Sequence, residues 1–120
     1  MICVRIRYHE DSVTHIDVTG HSGYEDSGKD IVCAGISALT IALINGMTEV
    51  LHYQEKDILE EHSAGVTRID VPLLEKEEDV KKRNGLNVLL QTYLLNIRLI
   101  EDTYGDFVKV VEVKDKRTID

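Results

Sequence analysis

Tryptophan is absent from this 120-residue sequence, and proline and phenylalanine occur once each. Two cysteines, Cys3 and Cys33, are too few for a disulfide framework, so a packed apolar core has to hold the fold. No run approaches the roughly 20 apolar residues that a bilayer span requires, and no membrane association is expected. No secretory leader is expected either: the opening MICVRIRYHE alternates apolar and polar residues in the manner of a strand. The thiols are therefore expected to be reduced, in a cytoplasmic protein. Internal repeats, low-complexity tracts and linkers rich in Pro or Ser are also missing. Basic residues are scarce: 14 Lys and Arg stand against 22 Asp and Glu, a formal net charge of −8. A phosphate-binding face needs the opposite balance, so free nucleic acid is not an expected partner. The excess of acid fits a basic protein partner or simple solubility.

What is present is enough for one core. Hydrophobic residues make up 42% of the chain, too much for a disordered one, and the length suits a single domain over residues 1–120. Residues 2–8 put Ile2, Val4, Ile6 and Tyr8 on one face and Cys3, Arg5 and Arg7 on the other, the pattern of a half-buried strand. After a polar turn at 9–12, alternation resumes over 13–19 and predicts a hairpin. Residues 20–30, GHSGYEDSGKD, have no apolar periodicity and read as a loop. Asp30 is the N-cap of a helix running from residue 31 to about 51. That helix is apolar nearly all round, so it is either a central core helix or one covered on its second side by another subunit.

A second hairpin, 56–62 and 66–73, turns at Ser63-Ala64-Gly65. The charged stretch 74–83 is read as a solvated loop or a frayed helical turn. A long amphipathic helix then follows Asn84-Gly85 and stops at Gly105. Residues 107–113 make a last strand and 114–120 a loose polar tail. The order ββαββαβ predicts a two-layer α+β fold, with a largely antiparallel sheet of about five strands and two helices.

The loop before the first helix invites a phosphate-binding reading. Yet it matches neither GxGxxG nor a Walker-type GxxxxGK pattern, and Glu25, Asp26 and Asp30 would repel phosphate. The pair that stands out is His21, at the exit of the second strand, and Cys33, in the first turn of the helix. A thiol there lies near unpaired amides at the positive end of the helix dipole, which favours thiolate. The dipole alone is insufficient, since it contributes about 0.3–1 kcal/mol and one pKa unit corresponds to about 1.4 kcal/mol. An adjacent imidazolium supplies the remainder in thiolate–imidazolium pairs. His21 is the histidine placed to do so, because the loop must return its end to the helix start.

Bland readings stand beside the chemical one. Free Cys is among the most buried residue types, so core packing is the default reading of a lone cysteine such as Cys33. Cys3, on a strand face with Arg5 and Arg7, is read as packing only. His9, His15, His21, His52 and His62 are scattered and no CxxC is present, so no metal is expected. A thioredoxin-like role would want a resolving cysteine.

The stretch Gly20-His21-Ser22-Gly23-Tyr24, then Gly28-Lys29-Asp30-Ile31-Val32-Cys33-Ala34-Gly35-Ile36-Ser37-Ala38-Leu39, resembles the ribosomal-processing cysteine protease (Prp) family. Gly-His, a short glycine-rich loop, Asp-Ile-Val-Cys-Ala and Ser-Ala-Leu make a specific pattern, and the match continues to Asn45-Gly46. Two departures lie outside it: the dense charge of residues 75–83, and Tyr104-Gly105-Asp106 where many members carry a Tyr-Pro turn. The resemblance implies a homodimeric cysteine endopeptidase acting in ribosome biogenesis, with no cofactor. Its substrate would be a short, basic N-terminal extension of a large-subunit ribosomal protein, cut after paired aromatic residues. It also implies Cys33 as nucleophile and His21 as base, with Asp30 and Ser37 at further motif positions.

The residues leave several roles open. Asp30 is either only the helix cap, worth about 1 kcal/mol, or also the group that orients His21 as a third triad member. Ser37, one turn beyond Cys33 on the same face, either supports His21 and lines the pocket or bonds a backbone carbonyl. Gly20, Gly23 and Gly28 would let the loop move around a substrate. Tyr24 either stacks on an aromatic substrate side chain or faces solvent. Glu25 and Asp26 would suit lysines near the cut. Two rival functions are a non-enzymatic binder of ribosomal proteins or assembly intermediates, with Cys33 and His21 structural, and a different thiol enzyme such as an acyltransferase or peroxide sensor.

Overall fold

The computed structural model describes residues 1–21 and 30–115. Its elements are β1 (Ile2–His9), β2 (Ser12–Gly20), α1 (Ile31–Asn45), α2 (Glu55–Ile58), β3 (Leu59–Ser63), β4 (Val66–Asp70), α3 (Val80–Tyr104) and β5 (Val108–Asp115). A π-helical turn, Gly46–Val50, prolongs α1, and a 3-10 turn, Leu74–Lys76, leads into α3. The strands form one sheet in the order β3-β4-β2-β1-β5. Neighbours are antiparallel except β1 and β5, which run parallel. Such a pair needs a long crossover, and α3 lies on the path that leads to β5. The expected α+β class and largely antiparallel sheet are therefore the ones observed.

Alternation along the strands sorts the two faces. Ile2, Val4 and Ile6 of β1 and Ile16 of β2 are fully buried, and α1 and α3 cover them with Val32, Ile36, Leu86, Leu90 and Ile97. Each such side chain stabilises the fold by about 1.5–3 kcal/mol relative to exposure. The other face is charged: Arg5 stands opposite Asp17, and Asp17 opposite Arg68. The two long helices cross closely at two glycines. A Cβ on Gly46 would stand 2.8 Å from the methyls of Leu89, and one on Gly85 would stand 2.6 Å from Leu51 Cδ2.

Four expectations change. The long helix begins at Val80, so Asn84-Gly85 lies inside it; Asp79 caps it by accepting from the amides of Lys81 and Lys82 at 3.0 and 3.1 Å. Residues 56–58 are helical, in α2, and only the stretch from Leu59 is strand, while β4 ends at Asp70. The last strand reaches Asp115 because β5 pairs with β1 along its whole length, out to His9. Finally, Ile31–Val50, at 20 residues and mean hydropathy 1.8, is long and apolar enough to cross a bilayer by length and composition. In this fold it is a core helix, with Val32, Ile36, Leu43, Ile44 and Met47 buried in the same cluster as the sheet.

Candidate active site

The site begins where β2 leaves the sheet. Gly20 has φ +90, and a Cβ there would stand 2.3 Å from the Met1 carbonyl oxygen, so only glycine fits. Its amide donates to the Gly65 carbonyl at 2.9 Å, which ties the end of β2 to the turn between β3 and β4. His21 follows at once, and its ring rests on that turn: Nε2 lies 3.3 Å from where a Gly65 Cβ would be. Gly65 itself has φ +77, a conformation glycine adopts without penalty.

The second half of the site is the start of α1. Asp30, in an extended conformation, accepts through Oδ1 from the Cys33 amide at 2.8 Å. This is the N-cap geometry, and it places Cys33 in the first turn. Val32 and Ile36 face the core, which turns Cys33 and Ser37, four residues apart, toward a common surface. Cys33 is half-buried as a free thiol and Ser37 is exposed.

The two halves meet. Gly20, His21, Cys33 and Ser37 line one cavity of about 120 Å³. Its floor is apolar, from Ile2, Val18 and Ile36, and its far wall is the β3–β4 hairpin, with His62, Ser63, Gly65 and Thr67. Asp30 sits at the helix start as a cap. Gly23, Tyr24, Gly28, Glu25 and Asp26 lie outside the described residues. Cys3 pairs with Thr19 and Lys109 on the charged side of the sheet, away from the cavity lining. Among the described residues no three His, Cys, Asp or Glu side chains gather to hold a metal ion.

Sequence reasoning missed the hairpin wall. Nothing local in residues 59–70 points to a site, because they reach it only through the pairing of β4 with β2. The one available signal was Gly65, whose place in a turn hides its second duty beneath the His21 ring.

A model of the cysteine protease Prp family matches residues 1–109, a span that includes every residue placed in the cavity. The chain belongs to the Prp cysteine protease family. It is a peptide hydrolase of the thiol class on that ground. The ribosomal processing cysteine protease Prp of Bacillus subtilis (strain 168) is 25% identical over 105 residues, covering 87% of this chain and 89% of that one. Prp of Staphylococcus aureus (strain Mu50) is 28% identical over 111 residues, covering 92% of this chain and 97% of its own. Among solved structures, the S. aureus Prp with a covalently linked product peptide superposes with a TM-score of 0.76 at 25% identity, over 93% of this chain and 99% of that one. The same protease with a substrate peptide gives 0.70 at 24% identity over the same shares, a likeness of fold.

Proposed function

We propose that this Prp-family protease removes a short, basic N-terminal extension from a large-subunit ribosomal protein, with Cys33 as nucleophile and His21 as its base. The carrying observation is that both side chains line one cavity at the N-terminus of α1. His21 takes the thiol proton, and the sulfur bonds to the scissile carbonyl carbon. The tetrahedral intermediate collapses with the C–N bond broken, and His21 gives its proton to the departing amine. Water then attacks the thioester, His21 takes its proton, and the carboxylic acid leaves as Cys33 is restored. The covalently linked product peptide of the S. aureus relative supports such a step. The Cys33 amide donates to Asp30, so the oxyanion draws on other amides or on a cap that yields. In this reading Asp30 acts first as a cap and Ser37 lines the pocket.

The substrate reading draws on the net charge of −8 and on Glu25 and Asp26, which favour a basic peptide. The apolar floor of the cavity suits an aromatic side chain at the cut. The protein acts as a homodimer in the cytoplasm, as a single domain. Support for the dimer is the set of large apolar side chains exposed on the helical layer, Ile41 on α1 and Val88, Leu95 and Leu99 on α3.

The test is incubation with the same organism's precursor of that ribosomal protein, followed by intact-mass measurement. Loss of the extension's mass, abolished by Cys33→Ala, is expected. Binding without cleavage would instead point to a ribosome-assembly binding protein. Iodoacetamide reaction at Cys33 below pH 7, slowed by His21→Ala, checks the dyad independently of any substrate.

A further inference from the structure

The hairpin wall carries a second imidazole. His62 lies on β3, an edge strand, is exposed, and lines the same cavity as Cys33 and His21. Its Nδ1 is 3.0 Å from the hydroxyl of Thr67, the residue opposite it in the hairpin. That contact engages one ring nitrogen and fixes the ring's rotation, leaving Nε2 for whatever enters. The neighbouring carboxylate is engaged elsewhere: Glu61 pairs with Arg68 Nε at 3.3 Å and accepts from Ser63 at 3.3 Å. The two histidines are thus held in different ways. His21 rests on the hairpin turn beside α1, and His62 is braced across the hairpin by Thr67.

We propose that His62 is a substrate-binding residue: with the Thr67 hydroxyl donating to Nδ1, its ring carries a proton on Nε2 and donates it to a backbone carbonyl of the bound peptide. An extended peptide with one side chain in a cavity of about 120 Å³ must lay its backbone along the rim, where His62 stands. A backbone carbonyl is the acceptor every peptide presents, so this contact holds the chain in register without reading its sequence. The proposal rests on Cys33 and His21 being the catalytic pair.

The experiment uses the full chain and a peptide spanning the cut site. His62→Leu should raise KM about three- to tenfold with kcat within about twofold, the size of one neutral hydrogen bond. His62→Gln, whose amide reaches toward the Nε2 position, should recover most of the loss. Iodoacetamide reaction at Cys33 should be unchanged in both variants. An unchanged KM in His62→Leu overturns the proposal. So does a fall in kcat with slowed alkylation, which would make His62 the base. Parent protein that neither cleaves nor alkylates below pH 7 would instead sink the catalytic pair. Should His62→Leu fold poorly, Thr67→Val decides: releasing Nδ1 should raise KM with alkylation unchanged, and an unchanged KM overturns the proposal.

Discussion

Gly20 and His21 are neighbours, and the first determines what the second can do. Any side chain at Gly20 meets the Met1 carbonyl oxygen at 2.3 Å while φ stays at +90. Gly20→Ala should therefore cost more than about 1–2 kcal/mol in urea unfolding and also slow Cys33 alkylation, because His21 moves with the chain. A change in stability with alkylation intact would separate fold from site. Tyr93 is a second single-residue control. It is buried in α3, and its hydroxyl meets Thr40 Oγ1 at 2.9 Å, while Thr40 donates to the Ile36 carbonyl at 2.8 Å. With the Thr40 proton committed to Ile36, Tyr93 is the donor of the pair. Burial pushes the Tyr93 phenol up to about 12. The unfolded chain then ionises first as pH rises above 10, so stability falls between about 10 and about 12. Tyr93→Phe should cost about 1 kcal/mol at pH 7 and make denaturant midpoints less sensitive to alkali over that window.

Elements are set by their ends as much as by their faces. The first turn of α3 holds Lys81, Lys82 and Arg83, cations at the positive end of a helix dipole, which disfavours starting there. Asp79 outweighs them by accepting two amides, and Arg83 donates to the Glu77 carbonyl at 3.0 Å. Asp79→Ala should cost about 1 kcal/mol and fray the helix toward Leu86, visible as faster amide exchange over residues 80–85. Just upstream, the Tyr53 hydroxyl donates to Glu77 at 2.5 Å, with Lys82 Nζ 4.3 Å from the centre of the Tyr53 ring. The Tyr53 bond, helped by the Asp79 amide, lowers the Glu77 carboxyl below its usual range. A lowered carboxyl contributes stability above its unfolded value and loses it as pH falls through the folded one. Stability measured at pH 7 and pH 3 should thus differ less in Tyr53→Phe than in the parent.

At the scale of the whole molecule, the sheet has one helical layer, and the outer surface of that layer carries exposed apolar side chains among polar ones. Val88 is 62% and Leu95 61% exposed on α3, beside Ile41 at 45% on α1. Sedimentation at micromolar concentration should give twice 13.6 kDa, and Leu95→Glu with Val88→Glu should return the mass to 13.6 kDa. A parent mass of 13.6 kDa would remove the dimer from the functional account.

Much of this was legible in the chain itself. The hairpin of β1 and β2, the Asp30 start of α1, and Cys33 and Ser37 on one face follow from alternation, capping and helical spacing. These are rules acting over a few residues. The start of α3 is not legible locally, because the charge density of residues 75–83 hides the turn that Asp79 caps. The remaining features were settled by contacts between distant segments. Strand order sets β4 beside β2, which carries Gly65 beneath the His21 ring and His62 to the mouth of the Cys33 cavity. Pairing between segments so far apart is selected by the burial of the whole core, which no local window of sequence contains.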